Sequence, residues 1–142
     1  MTNLHGMMRV VVNRTPGRYR KQQVVYHING DGGPEGGLYK AALVNVRNHI
    51  AALGADNISV KVLLHGDGVT LLTMARGDVE LQSAVVALKA DKVSFLVCAN
   101  TLRGRNIDSG SDLFDVADGD IVPSGVAELS HLQQQGYTYI KP

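Results

Sequence analysis

The sequence predicts an α/β protein, a three-layer sandwich with a five-stranded parallel sheet between helices. Three observations carry this. Five short runs rich in β-branched and aromatic residues recur along the chain. A helical pattern separates each run from the next, and strands alternating with helices favour a parallel sheet covered on both faces. The chain has 142 residues, enough for one domain with a real core. Right-handed crossovers then place every strand-to-helix loop on one edge of the sheet.

The elements follow in order. Residues 1–21 read as a basic extension and residues 22–142 as a single α/β domain. Val24-Val25-Tyr26-His27-Ile28 is the first strand, followed by a glycine-rich loop over residues 29–37. From Leu38 a helix runs with Tyr39, Leu43, Val46, Ile50 and Leu53 on one stripe, and Gly54 stops it. Ile58 to Leu64 is the second strand, closed by His65-Gly66-Asp67-Gly68. Residues 69–75 are expected to form a short helix. Asp78 caps the next helix, which reaches Ala90 and buries Leu81, Val85 and Leu88. Lys92 to Val97 is the third strand, and a short helix starts at Ala99 or Asn100. Residues 104–119 read mainly as loop, with one turn at Leu113-Phe114. Residues 120–122 are a short strand. Ser124 caps a helix whose apolar face is Val126, Leu129 and Leu132, and Gly136 ends it. Residues 137–140 are the last strand.

Composition removes several function classes. A hydrophobic fraction of 44% and a charged fraction of 19% are those of an ordinary globular domain. No apolar run reaches the roughly 18 residues that span a bilayer. A net charge of +1 argues against a general nucleic-acid binder. The single cysteine excludes an internal disulfide and a Cys-x-x-Cys zinc site. Charge is uneven, however. Residues 1–21 carry five basic and no acidic residues, and the rest of the chain is net acidic. The extension lacks both the serine richness of a transit peptide and the apolar core of a secretory signal. It reads as a solvated tail, an ordered edge element or a partner-binding arm.

The candidate chemistry lies in the strand-to-helix loops. Gly30-x-Gly32 resembles the start of a dinucleotide fingerprint, but Glu35 stands at the third glycine, and Asp31 and Glu35 would repel a pyrophosphate. No histidine pair has the helical spacing of a metal site, so no metal and no cofactor is expected. The aspartates at 67, 112, 115, 118 and 120 sit in turn-forming context. Cys98 is the strongest candidate. It ends an apolar strand and precedes a helix start, where unpaired N–H groups favour a thiolate. Thr101 can donate a hydrogen bond to it, Arg103 and Arg105 can bring positive charge, and His65 closes a strand on the same edge. The alternative is a small apolar filler, because free cysteines are among the most buried residue types.

The same stretches resemble the DsrE/DsrF-like proteins. The similarity runs through Val24 to Gly37, His65-Gly66, Phe95-Leu96-Val97-Cys98-Ala99-Asn100-Thr101-Leu102 and the carboxyl end from Val122 to Ile140. It implies an α/β/α sandwich of strand order 4-3-2-1-5, and oligomers, commonly trimers or hexamers. For some members it also implies cytoplasmic sulfur relay, in which a cysteine matching Cys98 accepts a sulfane sulfur from a donor protein and passes it to an acceptor. Those members follow the cysteine with small residues and then Arg-Arg-Gly, where this chain has Arg103-Gly104-Arg105. Other family subunits lack the cysteine and serve in assembly. The resulting expectation is an oligomeric carrier holding a persulfide on Cys98, without nucleic acid or membrane as partner. The competing expectation is a non-catalytic binding or assembly module.

Overall fold

A computed structural model of the chain describes residues 8–142. The first seven residues of the basic extension lie outside the described residues. Residues 8–21 belong to no helix or strand and are exposed along their whole length.

The sheet has five strands: β1 (Gln22–Ile28), β2 (Ile58–Leu64), β3 (Ser94–Cys98), β4 (Ile121–Val122) and β5 (Thr138–Ile140). All pairings are parallel and the order is β4-β3-β2-β1-β5. The helices are α1 (Gly37–Leu53), α2 (Thr70–Met74), α3 (Val79–Ala90), α4 (Ala99–Gly104) and α5 (Gly125–Gln134). The expected fold class and strand order are those observed.

Side chains alternate across a strand, so each strand feeds both faces of the sheet. Val24, Tyr26, Val62, Leu64, Phe95 and Val97 point into the larger core, with Tyr39, Leu43 and Val46 of α1 and Leu81, Val85 and Leu88 of α3. Val25, Leu63, Leu96 and Val122 point the other way, into a smaller core closed by Leu129 and Leu132 of α5. One face therefore carries most of the helical cover and the other carries a single ten-residue helix.

The helix ends follow the local chemistry. Asp78 accepts the Leu81 N–H at 3.0 Å and caps α3. Ser124 accepts the Ala127 N–H at 3.2 Å and caps α5. Two local expectations are corrected. Val126 is 60% exposed and lies off the buried face of α5. The buried positions are Gly125, Leu129 and Leu132, spaced by four and three, and Val126 falls one step of about 100° away. The turn at Leu113-Phe114 is a bend, in which the Phe114 N–H bonds the Leu72 carbonyl and Leu113 is buried.

The glycine loop is a structural turn. The Tyr39 hydroxyl lies 2.6 Å from the Gly30 carbonyl oxygen, 2.8 Å from that of Asp67 and 2.7 Å from Thr70 Oγ1. It ties the first loop to the second. A Cβ on Gly32 would lie 2.5 Å from the Tyr39 ring, at a backbone φ of +87°. The glycine is needed for that staple.

Candidate functional site

The carboxyl ends of β2 and β3, α4 and the start of α5 line an open cavity of about 360 Å³. Cys98 lines it with His65, Asn100, Thr101, Arg105 and Gly125. Cys98 is the last residue of β3 and stands two residues beyond Leu96, on the α5 side of the sheet. It is 2% exposed, so the thiol belongs to the floor of the cavity.

Backbone donors reach the sulfur. The Gly125 N–H, the first of α5, donates to Cys98 Sγ at 3.2 Å. A side chain at this position would crowd the approach. A Cβ on Gly125 would come within 3.2 Å of Cys98 Cβ and 3.3 Å of His65 Cβ. Burial pushes the Cys98 thiol up, but hydrogen bonds from the Gly125 N–H, the Thr101 hydroxyl and the Thr101 and Asn100 N–H groups outweigh it. The net effect holds the thiol below its ordinary range.

The structure distributes the expected supporting residues unevenly. Thr101 stands beside the thiol, and its Oγ1 also accepts the Gly66 N–H at 3.0 Å, which joins the β2 and β3 loops. Arg105 lines the cavity, but its guanidinium is paired with Asp67 at 2.7 Å. Arg103 is not a lining residue and instead bonds Asn100 Oδ1 at 2.8 Å. His65 lines the cavity, with its backbone N–H on the Ile28 carbonyl and its Nδ1 3.4 Å from His27 Nε2. Among the described residues, no group of three or more His, Cys, Asp or Glu is placed to hold a metal ion. No helix among them is long and apolar enough to cross a membrane.

Sequence reasoning did not assign Gly125 to the thiol. The available signal was the turn Pro123-Ser124-Gly125 on the edge that also carries Cys98. A helix cap followed by glycine leaves a free N–H there. Nor did it join His27 to the site, because His27 lies within its strand rather than in the loop that closes it.

In chemical terms the site offers a single nucleophile with an anion-stabilising setting of N–H and O–H donors. It has no carboxylate paired with the cysteine and no triad. Such a thiol can attack an electrophilic sulfur and leave again as a thiolate.

Comparison with known proteins agrees with the fold. The model of the DsrE/DsrF-like family matches residues 36–142. A protein of unknown function from Methanobacterium thermoautotrophicum, MTH1491, superposes with a TM-score of 0.70 at 34% identity, covering 85% of this chain and 99% of that one. The ychN protein of E. coli superposes with a TM-score of 0.62 at 21% identity, covering 84% and 97%, a likeness in fold. A search of curated proteins gives no match. With the family match spanning most of the domain and the sheet order as observed, the chain belongs to the DsrE/DsrF-like family.

Proposed function

We propose that the protein is a sulfur carrier that holds a persulfide on Cys98. One observation carries the reading: the thiol is held below its ordinary range by N–H and O–H donors at the floor of a cavity. The Cys98 thiolate attacks the outer sulfur of a donor persulfide, R–S–SH. The R–S–S bond breaks, a Cys98 S–S bond forms, and R–S⁻ leaves. In the second half an acceptor thiolate attacks the outer sulfur on Cys98, and Cys98 departs as the thiolate. Sulfane sulfur moves between thiols with no net oxidation. The donor and acceptor would be intracellular proteins, and a homo-oligomer, trimer or hexamer, would present several such cavities in the cytoplasm.

The test is intact mass after incubation with a low-molecular-weight persulfide. A gain of one sulfur atom, absent in Cys98→Ser, is the expected outcome. No gain, with Cys98 inert to alkylation in the folded protein, overturns the reading. The second reading, a binding or assembly module with Cys98 as a packing residue, rests on the 2% exposure of the cysteine. It predicts that inert outcome.

A further inference from the structure

The sheet face covered by α5 has a second feature. Its small apolar core holds Val25, Leu63 and Leu96. Two residues further along each strand, on the same face, stand His27, His65 and Cys98. β5 adds Tyr139, which pairs in register with Val25. A polar row thus crosses the carboxyl edge of the sheet above the apolar floor. His27 is the one buried polar or charged residue among those described.

The row is connected. The Tyr139 hydroxyl lies 2.6 Å from His27 Nδ1. His27 Nε2 lies 3.4 Å from His65 Nδ1, at the long end for a hydrogen bond, with the two rings within 23° of parallel. His65 lines the Cys98 cavity, and its Nε2 has no partner among the described residues. Tyr139 is 41% exposed and reaches water at the far end.

A neutral imidazole carries one proton, so the three groups have two consistent settings. In the first, Tyr139 donates to His27 Nδ1, His27 Nε2–H donates to His65 Nδ1, and His65 Nε2 carries a proton. In the second, His65 Nδ1–H donates to His27 Nε2, His27 Nδ1–H donates to Tyr139, and His65 Nε2 is a bare acceptor. The two histidines therefore share one tautomer, and the state at the cavity is tied to the state at Tyr139.

We propose that His65 is the proton donor and acceptor for the Cys98 exchange, and that His27 and Tyr139 are positioning residues that set its tautomer. This rests on the sulfur-carrier reading. When R–S⁻ leaves, His65 Nε2–H gives it a proton and R–SH forms. His65 Nδ1 takes the proton of His27 Nε2, His27 Nδ1 takes that of Tyr139, and Tyr139 recovers one from water. The chain now stands in its second setting. The acceptor thiol then gives its proton to His65 Nε2 as it attacks the persulfide, and the shift runs back through His27 to Tyr139, which releases one proton to water. One turnover consumes no net proton and restores the first setting.

The groups facing the chain are few. His27 meets His65, Tyr139 and the Lys141 ammonium, which bonds Asn29. His65 meets His27, and it shares the cavity with Cys98 and with Arg105, which is paired to Asp67.

Two measurements test the proposal. The first uses nitrogen-15 NMR of the folded protein near neutral pH and needs no sulfur chemistry. The two imidazoles are expected in the same tautomer, and Tyr139→Phe shifts the tautomer ratio of both rings together. Opposite tautomers, or a response confined to His27, overturns the chain. The second follows loading of Cys98 from glutathione persulfide, and unloading to a small thiol, against pH. His65→Gln slows both halves by about 10²-fold and flattens the profile, whereas Tyr139→Phe displaces the profile with folding unchanged. Unaltered profiles with normal loading overturn the chain and leave the carrier reading standing. A wild-type protein that never loads overturns the carrier reading and the assignment of the chain to that exchange.

Discussion

The decisive residue is Cys98, and its state is a contest between burial and hydrogen bonding. Burial opposes the charged form, while donors from three residues favour it. Thr101 is the donor that a mutation can remove with least disturbance. In Thr101→Val the hydroxyl donor is lost, so the midpoint of the pH-dependent alkylation rate of Cys98 moves upward. The same change strands the Gly66 N–H that Thr101 Oγ1 accepts, and stability falls by about 1 kcal/mol in urea denaturation. An unmoved alkylation midpoint would show that backbone donors alone hold the thiolate. At this scale the sequence pointed to Cys98, Thr101 and His65 as neighbours on one edge. Of the two arginines, Arg105 lines the cavity and Arg103 does not, and each guanidinium on its long stem has found a nearby oxygen. Asp67 and Asn100 are those partners.

At the scale of elements, the site depends on where α5 begins. Ser124 caps the helix and Gly125 lays its N–H on the sulfur, so cap and sulfur contact are adjacent residues. Ser124→Ala is expected to cost about 1 kcal/mol of stability, read as a lower urea midpoint, and to slow Cys98 alkylation as the first turn frays. Ser124→Asp preserves a cap and restores the midpoint. Its carboxylate lies on the cavity wall, so it raises the thiol pKa, and alkylation at neutral pH stays slow. Recovery of both properties in the aspartate variant would argue against electrostatic control of the thiol. The helices and their caps were legible because spacing and cap chemistry are local. The misassigned face of α5 shows the limit. Val126, Leu129 and Leu132 form one acceptable stripe, Gly125, Leu129 and Leu132 another, and the close approach to Cys98 and His65 selects the second.

The whole molecule is asymmetric across its sheet. One face bears the larger core under α1 and α3, and the other bears a small core and the polar row. Two histidines are held as neutral parts of this structure. His27 is pushed below its ordinary value of 6.5 by burial, then by His65 and Lys141. His49 is pushed down by burial, and its ring bonds Tyr26 and Gln22 at 2.7 Å each. For a base lowered in the folded state, the unfolded chain binds more protons between the two pKa values, so stability rises with pH there. Both contributions are complete above pH 6.5 and are lost as pH falls from 6.5 through the folded values. Urea midpoints measured between about pH 5 and 8 should decline on the acid side, with a shallower decline in His49→Gln. A flat profile would show that neither imidazole is kept neutral by the fold.

The sequence by itself determined the alternation of strands and helices, the caps at Asp78 and Ser124, the glycine stops and the thiol at a strand end. Each rests on chemistry within a few residues, or on a period of two or 3.6 that needs no partner. Only the tertiary structure decided that Gly125 reaches the thiol and that His27 and Tyr139 stand behind His65. Gly125 lies 27 residues from Cys98, and Tyr139 lies 112 from His27. Parallel register, the alternation of side chains across the sheet and the start of α5 bring them together. Those are long-range packing outcomes: the alternation of elements puts the loops on one edge, and no local pattern in the chain encodes which atoms of those loops meet.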